Sequence, residues 1–160
     1  MKHVPKQAWM GCAVATAAML AERTYEDVAA HWPHVSDAQL RSPRDLRALL
    51  ESVTDVDWRL TQCWNPLLPV CNFSFPDWPV AVFIEEPPPR GRCAQWVVVR
   101  DEIVHDPGEA GAAIVSKYRF SDWLVTWIAQ PAHPDKLIRS QARNRMQTLR
   151  DALRSISFAN

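Results

Sequence analysis

The apolar run PVAVFIE at residues 79–85 is followed by QWVVVR at 95–100 and EIVHD at 102–106. A short, continuous apolar run bounded by turn residues is the pattern of a buried strand. The second and third runs meet at Arg100-Asp101 and read as a hairpin that ends at Asp106-Pro107-Gly108. Before residue 56 the pattern is helical. Gly11-Cys12 opens an alanine-rich stretch to about Glu22, and Thr24 with Glu26 and Asp27 reads as a capped helix start running to about His31. Ser42-Pro43-Arg44-Asp45 is a third start, with a serine cap, proline in the first turn and an acid three residues after the cap. Helices first and strands later predict an α+β fold with an antiparallel sheet.

Flanking segments fit that order. Val56–Leu60 alternates as a strand does, residues 63–78 and 85–92 read as loops, and AAIVSKYRF and WIAQP (127–131) read as further strands, with a helical turn at Ser121–Leu124 between them. The chain has 160 residues, a length that suits one domain with a sizeable core. Its formal charge is zero, which removes any global attraction to nucleic acid or membrane. The charge is uneven, however: net −4 over residues 1–134 and net +4 from Asp135 onward. In that tail Ile138, Ala142, Met146, Leu149, Leu153 and Ile156 recur at helical spacing, with five arginines on the other faces. The division is therefore a body of residues 1–134 and a C-terminal amphipathic basic helix of residues 135–160. The apolar stripe predicts packing onto the body or onto a second copy, a homodimer; contact with nucleic acid or an acidic partner is the weaker reading.

Lys2 and Lys6 before the apolar run Ala8–Ala21 have the shape of a secretion signal, but no small-x-small cleavage site precedes Glu22-Arg23. The expectation is a cytoplasmic protein with reduced thiols, no membrane span, and no zinc or other cofactor, since Cys12, Cys63, Cys71 and Cys93 follow no C-x-x-C spacing.

Cys12 is the residue on which function turns. A cysteine at a helix head sits where backbone N–H groups and the helix dipole favour an anion, and the thiolate is the reactive form. Gln7, five residues earlier, carries an amide that could face a developing oxyanion. By itself the pattern is first that of a buried, inert cysteine, ahead of a reactive one. A thiol enzyme also needs an imidazole, and a carboxylate or amide to orient it; the strand pair 95–106 ends on Asp106, whose place before Pro-Gly also fits a plain turn residue.

Gln7, the cysteine-headed helix ending in AML, PVAV, WVVV after Gln95, and His105-Asp106-Pro107 together resemble the papain-like cysteine peptidases, nearest the double-glycine leader peptidases of bacteriocin export and their bacterial and phage relatives. The resemblance runs in order over residues 7–131. It implies a papain-like fold with Cys12 as nucleophile, Gln7 as oxyanion donor, Asp106 as orienting carboxylate, and a peptide or protein as substrate or partner. It also implies a histidine directly before Trp96, where this chain has Gln95. A glutamine amide cannot take a proton at neutral pH. His105 is next to Asp106 and on a strand should face the other way, so it could replace the base only through a bulge. His3, His31, His34 and His133 read as loop or surface residues, and Cys93 shares the strand face of Gln95. The expectation is a cysteine peptidase-like protein with an incomplete triad and weak or no proteolysis; the alternative is a non-catalytic peptide-binding module on the same scaffold.

Overall fold

A computed structural model describes residues 1–7, 11–32, 42–64, 67–91 and 93–157, the side chains of 155–157 excepted. Among the described residues, four α-helices and six strands follow in the order α1 (Cys12–Ala21), α2 (Tyr25–Ala30), α3 (Pro43–Thr54), β1 (Trp58–Gln62), β2 (Val80–Glu85), β3 (Ala94–Arg100), β4 (Ile103–His105), β5 (Ala112–Ile114), β6 (Leu124–Pro131) and α4 (Pro134–Ser157). Every strand pairing is antiparallel, in the order β1-β6-β2-β3-β4-β5. The fold class is α+β, as the sequence pattern predicts. Among the described residues no helix is long and apolar enough to cross a membrane.

The expected caps are present. Thr24 accepts from Asp27 N at 3.1 Å and Ser42 accepts from Asp45 N at 3.2 Å, while each aspartate reaches back to the capping residue's N–H. Each such cap stabilises its helix by about 1 kcal/mol. The β3–β4 turn falls on Asp101 and Glu102, one residue later than expected, since Arg100 pairs with Ile103. Both turn residues have positive φ, 52° and 59°, as a two-residue hairpin loop requires. The AAIVSKYRF segment is a strand only over 112–114; it then tightens into a 3₁₀ turn at Val115–Lys117. The expected helical turn at Ser121–Leu124 is also replaced at its end, because β6 already begins at Leu124.

The sheet separates two cores. On one face α1 lies against Trp96 and Val98 of β3 and against α3; its alanines let the helix approach closely. The other face carries Val82, Ile84, Val97 and Val99, and is covered by Val70, Val115, Tyr118 and the aromatic rings of Phe73, Phe120 and Trp123. Trp96 is fully buried and packs on Phe83 with ring centroids 4.9 Å apart.

Helix α4 does not turn its apolar stripe to the body, one of the two packings expected for it. The stripe of Ile138, Met146, Leu149 and Leu153 is exposed, and the buried side is formed by Leu137, Ser140 and Gln141. The reason lies in the ends of the other helices. A helix leaves its last carbonyls without partners. Gln141 donates to Leu20 O at 2.8 Å, Asn144 to Ala21 O at 2.7 Å, and Ser140 to Thr54 O at 2.7 Å. The polar face of α4 thus closes the C-terminal ends of α1 and α3, and hydrogen-bonding demand overrides the apolar stripe.

Candidate functional site

Asp106 directly follows β4 and is 1% exposed. A buried carboxylate needs donors, and this one has three. Gly108 N–H donates to Oδ1 at 2.7 Å; the Tyr118 hydroxyl donates to Oδ2 at 2.5 Å; Gln95 Nε2 donates to Oδ2 at 2.8 Å. Gln95 Nε2 also lies 3.1 Å from the Tyr118 hydroxyl, so the three side chains form a closed triangle. Burial, with the Asp106 charge beside it, holds the Tyr118 phenol well above its ordinary pKa, so it remains a donor. Space is tight at Gly108: a methyl group there would lie 3.1 Å from Asp106 Oδ1 and 3.6 Å from both Gln95 Oε1 and Lys6 Nζ, so Asp106 would have to shift slightly.

Cys12 reaches this corner from α1, and the sheet explains how. The Glu86 N–H bonds to the Cys93 carbonyl at 2.9 Å, and antiparallel bonding alternates along the register. Ile84/Gln95 is therefore a bonded pair and Phe83/Trp96 is not. The N–H and C=O of Trp96 point away from β2, to the side where β4 stops, opposite Val98. Helix α1 fills that gap. Thr16 donates to Trp96 O at 3.3 Å, and the Cys12 sulfur lies against the Trp96 N–H. Cys12 and Thr16 are one turn apart on one helix face, so together they complete the open edge of β3. The thiol thereby becomes a main-chain neighbour of Gln95.

The thiolate expected at the helix head is not favoured. Burial raises the Cys12 pKa, and this outweighs the opposing pull of the Trp96 N–H, the Lys6 charge and the N–H groups of Ala13 and Cys12 itself. The helix head acts as expected, but desolvation is larger. Lys6 is tied into the same corner, since its N–H donates to Pro107 O at 3.0 Å.

Gln7 lies elsewhere in its bonding. Its side chain is exposed and donates to the Glu26 carboxylate, which lowers the Glu26 pKa. The oxyanion role expected of Gln7 is not the one its hydrogen bond serves. His105 follows strand parity: it stands opposite Val98, whose side chain faces the α1 side of the sheet, and no bulge returns it to Asp106. It is half-buried beside His3, ring centroids 6.5 Å apart. Burial first, then the positive charges of His3, the N-terminus and Arg100, lower its pKa to about 4.

His31 bonds the Asp27 carbonyl at 2.7 Å on the surface, His133 is exposed, and His34 lies outside the described residues. All four cysteines are free, and Cys93 is exposed. Among the described residues no group of three His, Cys, Asp or Glu side chains could hold a metal. Sequence reasoning missed Tyr118, Lys6 and Thr16. Thr16 alone carried a signal, a polar residue four positions after Cys12 in an otherwise apolar helix.

The chain matches no protein-family model and no curated protein sequence.

Proposed function

We propose that the protein is a papain-like cysteine peptidase relative, nearest the double-glycine leader peptidases, in which Cys12 holds the nucleophile position and ordinary proteolysis does not occur. One observation carries this reading: Gln95, the residue before the Trp96 N–H that the Cys12 sulfur meets, donates to the buried carboxylate of Asp106.

That arrangement reproduces half of an imidazole. A histidine before Trp96 would donate one ring N–H to Asp106 and use the other nitrogen to take the thiol proton. The Gln95 amide supplies the donor and not the base. Attack by Cys12 on a peptide carbonyl requires its proton to leave, and burial already favours the neutral thiol. Loss of a general base costs about 10² to 10⁴ in rate. The corner is thus suited to holding an extended peptide or protein segment rather than cleaving it, in the cytoplasm.

The test is restoration. Gln95→His should gain Cys12-dependent cleavage of an unstructured casein substrate, and adding Cys12→Ser should remove it. Cleavage by the unaltered protein that Cys12→Ser abolishes would overturn the claim of inactivity. A silent Gln95→His that folds normally would count against the peptidase relationship and leave a binding module.

A further inference from the structure

Helix α4 carries a repeat that the fold leaves unused. Ile138-Arg139, Ala142-Arg143, Leu149-Arg150 and Leu153-Arg154 are apolar-arginine pairs on one helix. Successive residues stand about 100° apart around a helix axis. The apolar members therefore form one stripe with Met146, and the arginines line a single edge of it. Ile138, Met146, Leu149 and Leu153 are 50–67% exposed. From Ile138 to Leu153 the stripe runs about 22 Å. A continuous exposed apolar surface rimmed by charge marks an interaction site.

The arginine edge is uncompensated. Among the described residues Arg139, Arg143, Arg150 and Arg154 make no ion pair; on α4 Arg145 does, with Glu22. Next to that edge, between α4 and the end of α3, lies a groove of about 690 Å³ with Val53, Ala142 and Met146 in its walls. Its charged lining is Arg23, Arg143 and Arg150 against Asp55 alone.

We propose that the stripe and this groove are the docking site for an amphipathic helix of another protein, apolar on one face and lined with Asp or Glu along one flank. Its apolar face covers Met146, Leu149 and Leu153, and its acids meet the arginine edge. Those arginines fall at steps of four, seven and four residues. The pattern reads the same in both chain directions, so acids at the same steps match it in either orientation.

A second copy fits poorly. The acids of α4 are Asp135 and Asp151, and Asp151 is bonded to Gln147. Antiparallel pairing of two stripes sets Arg143 and Arg150 of one copy against the same edge of the other. A lipid surface fits poorly too: the stripe holds no aromatic residue of the kind that interfacial helices bury, and a groove accepts a rod better than a plane. The site is independent of Cys12 and of the peptidase-like reading.

The probe is a fluorescein-labelled peptide of about 18 residues, with leucines at steps of three and four and glutamates at the four-seven-four steps on one flank. It is titrated into the full chain by fluorescence anisotropy, beside a control with lysine for every glutamate. The glutamate peptide should bind saturably and about tenfold tighter than the control at low salt, and about 0.5 M salt should remove most of that preference. Arg143→Glu with Arg150→Glu should reverse the order of the two peptides. Leu149→Glu should abolish binding of both. All three positions are exposed, so the melting temperature should stay unchanged. Absence of saturable binding, or equal affinity for the two peptides, overturns the proposal. So does a dimer in sedimentation that Leu149→Glu dissociates, which assigns the stripe to a second copy. Binding to phosphatidylglycerol vesicles more tightly than to the glutamate peptide overturns it in favour of lipid.

Discussion

Gln95 donates its amide to Asp106 at 2.8 Å, and both groups share the hydroxyl of Tyr118. The carboxylate is thereby saturated by donors, and the amide is held against rotation by two partners. Removing any one member leaves buried polar atoms unpaired.

Tyr118→Phe removes one donor from a buried charge while keeping the ring. The expected loss is about 2 kcal/mol of stability, read from urea unfolding. A change below a few tenths would mean that the triangle contributes little.

Alkylation should separate the cysteines. Cys71 and Cys93 are exposed, whereas the Cys12 thiol is buried and raised. Timed iodoacetamide labelling at neutral pH, mapped by mass spectrometry, should modify Cys71 and Cys93 before Cys12. In Gln95→His the order should shift towards Cys12, because an adjacent imidazolium stabilises the thiolate.

Acid should weaken the fold through His105. Its folded pKa of about 4 lies below the ordinary 6.5, so the unfolded chain binds its proton first. The contribution is complete above pH 6.5 and declines as pH falls towards 4. Because the ring is only half-buried, screening reduces it to about 1–2 kcal/mol. His105→Asn should flatten the slope of stability against pH in that interval; an unchanged slope would assign it to other groups.

The tail should show a contrast between its two faces. Gln141→Ala and Asn144→Ala each leave a helix-end carbonyl without its donor, and each should cost about 1–2 kcal/mol. Leu153→Ala, on the exposed stripe, should stay within about 0.5 kcal/mol. Equal effects on both faces would mean that the polar face does not anchor the helix.

Local signals made the fold readable. Ser42 with Asp45 and Thr24 with Asp27 are contained within a few residues, and the strand runs 79–85 and 95–106 are too apolar to lie anywhere but in a core. The site was half readable. Cys12, Gln95 and Asp106 stand at or near element ends that a motif can mark; Gln95 bonds Asp106, and the Cys12 sulfur meets the N–H of Trp96, the residue after Gln95. Tyr118 follows a 3₁₀ turn that no periodicity announces, and it reaches Asp106 across the sheet's second core. That the apolar stripe of α4 does not meet the body was not legible, because hydrophobic spacing carries no information about which distant carbonyls lack donors. Net preference for thiol over thiolate at Cys12 likewise depends on how deeply the helix head is covered, which a linear pattern does not contain.

Helix α1 is fastened at both extremities. Cys12 and Thr16 engage the main chain of Trp96 at its start, while Gln141 and Asn144 grip Leu20 and Ala21 at its finish. Axial sliding would break both attachments together, so the sulfur has a fixed address. The thiol therefore cannot be carried outward by the helix, and any group that meets Cys12 must come to it where it stands.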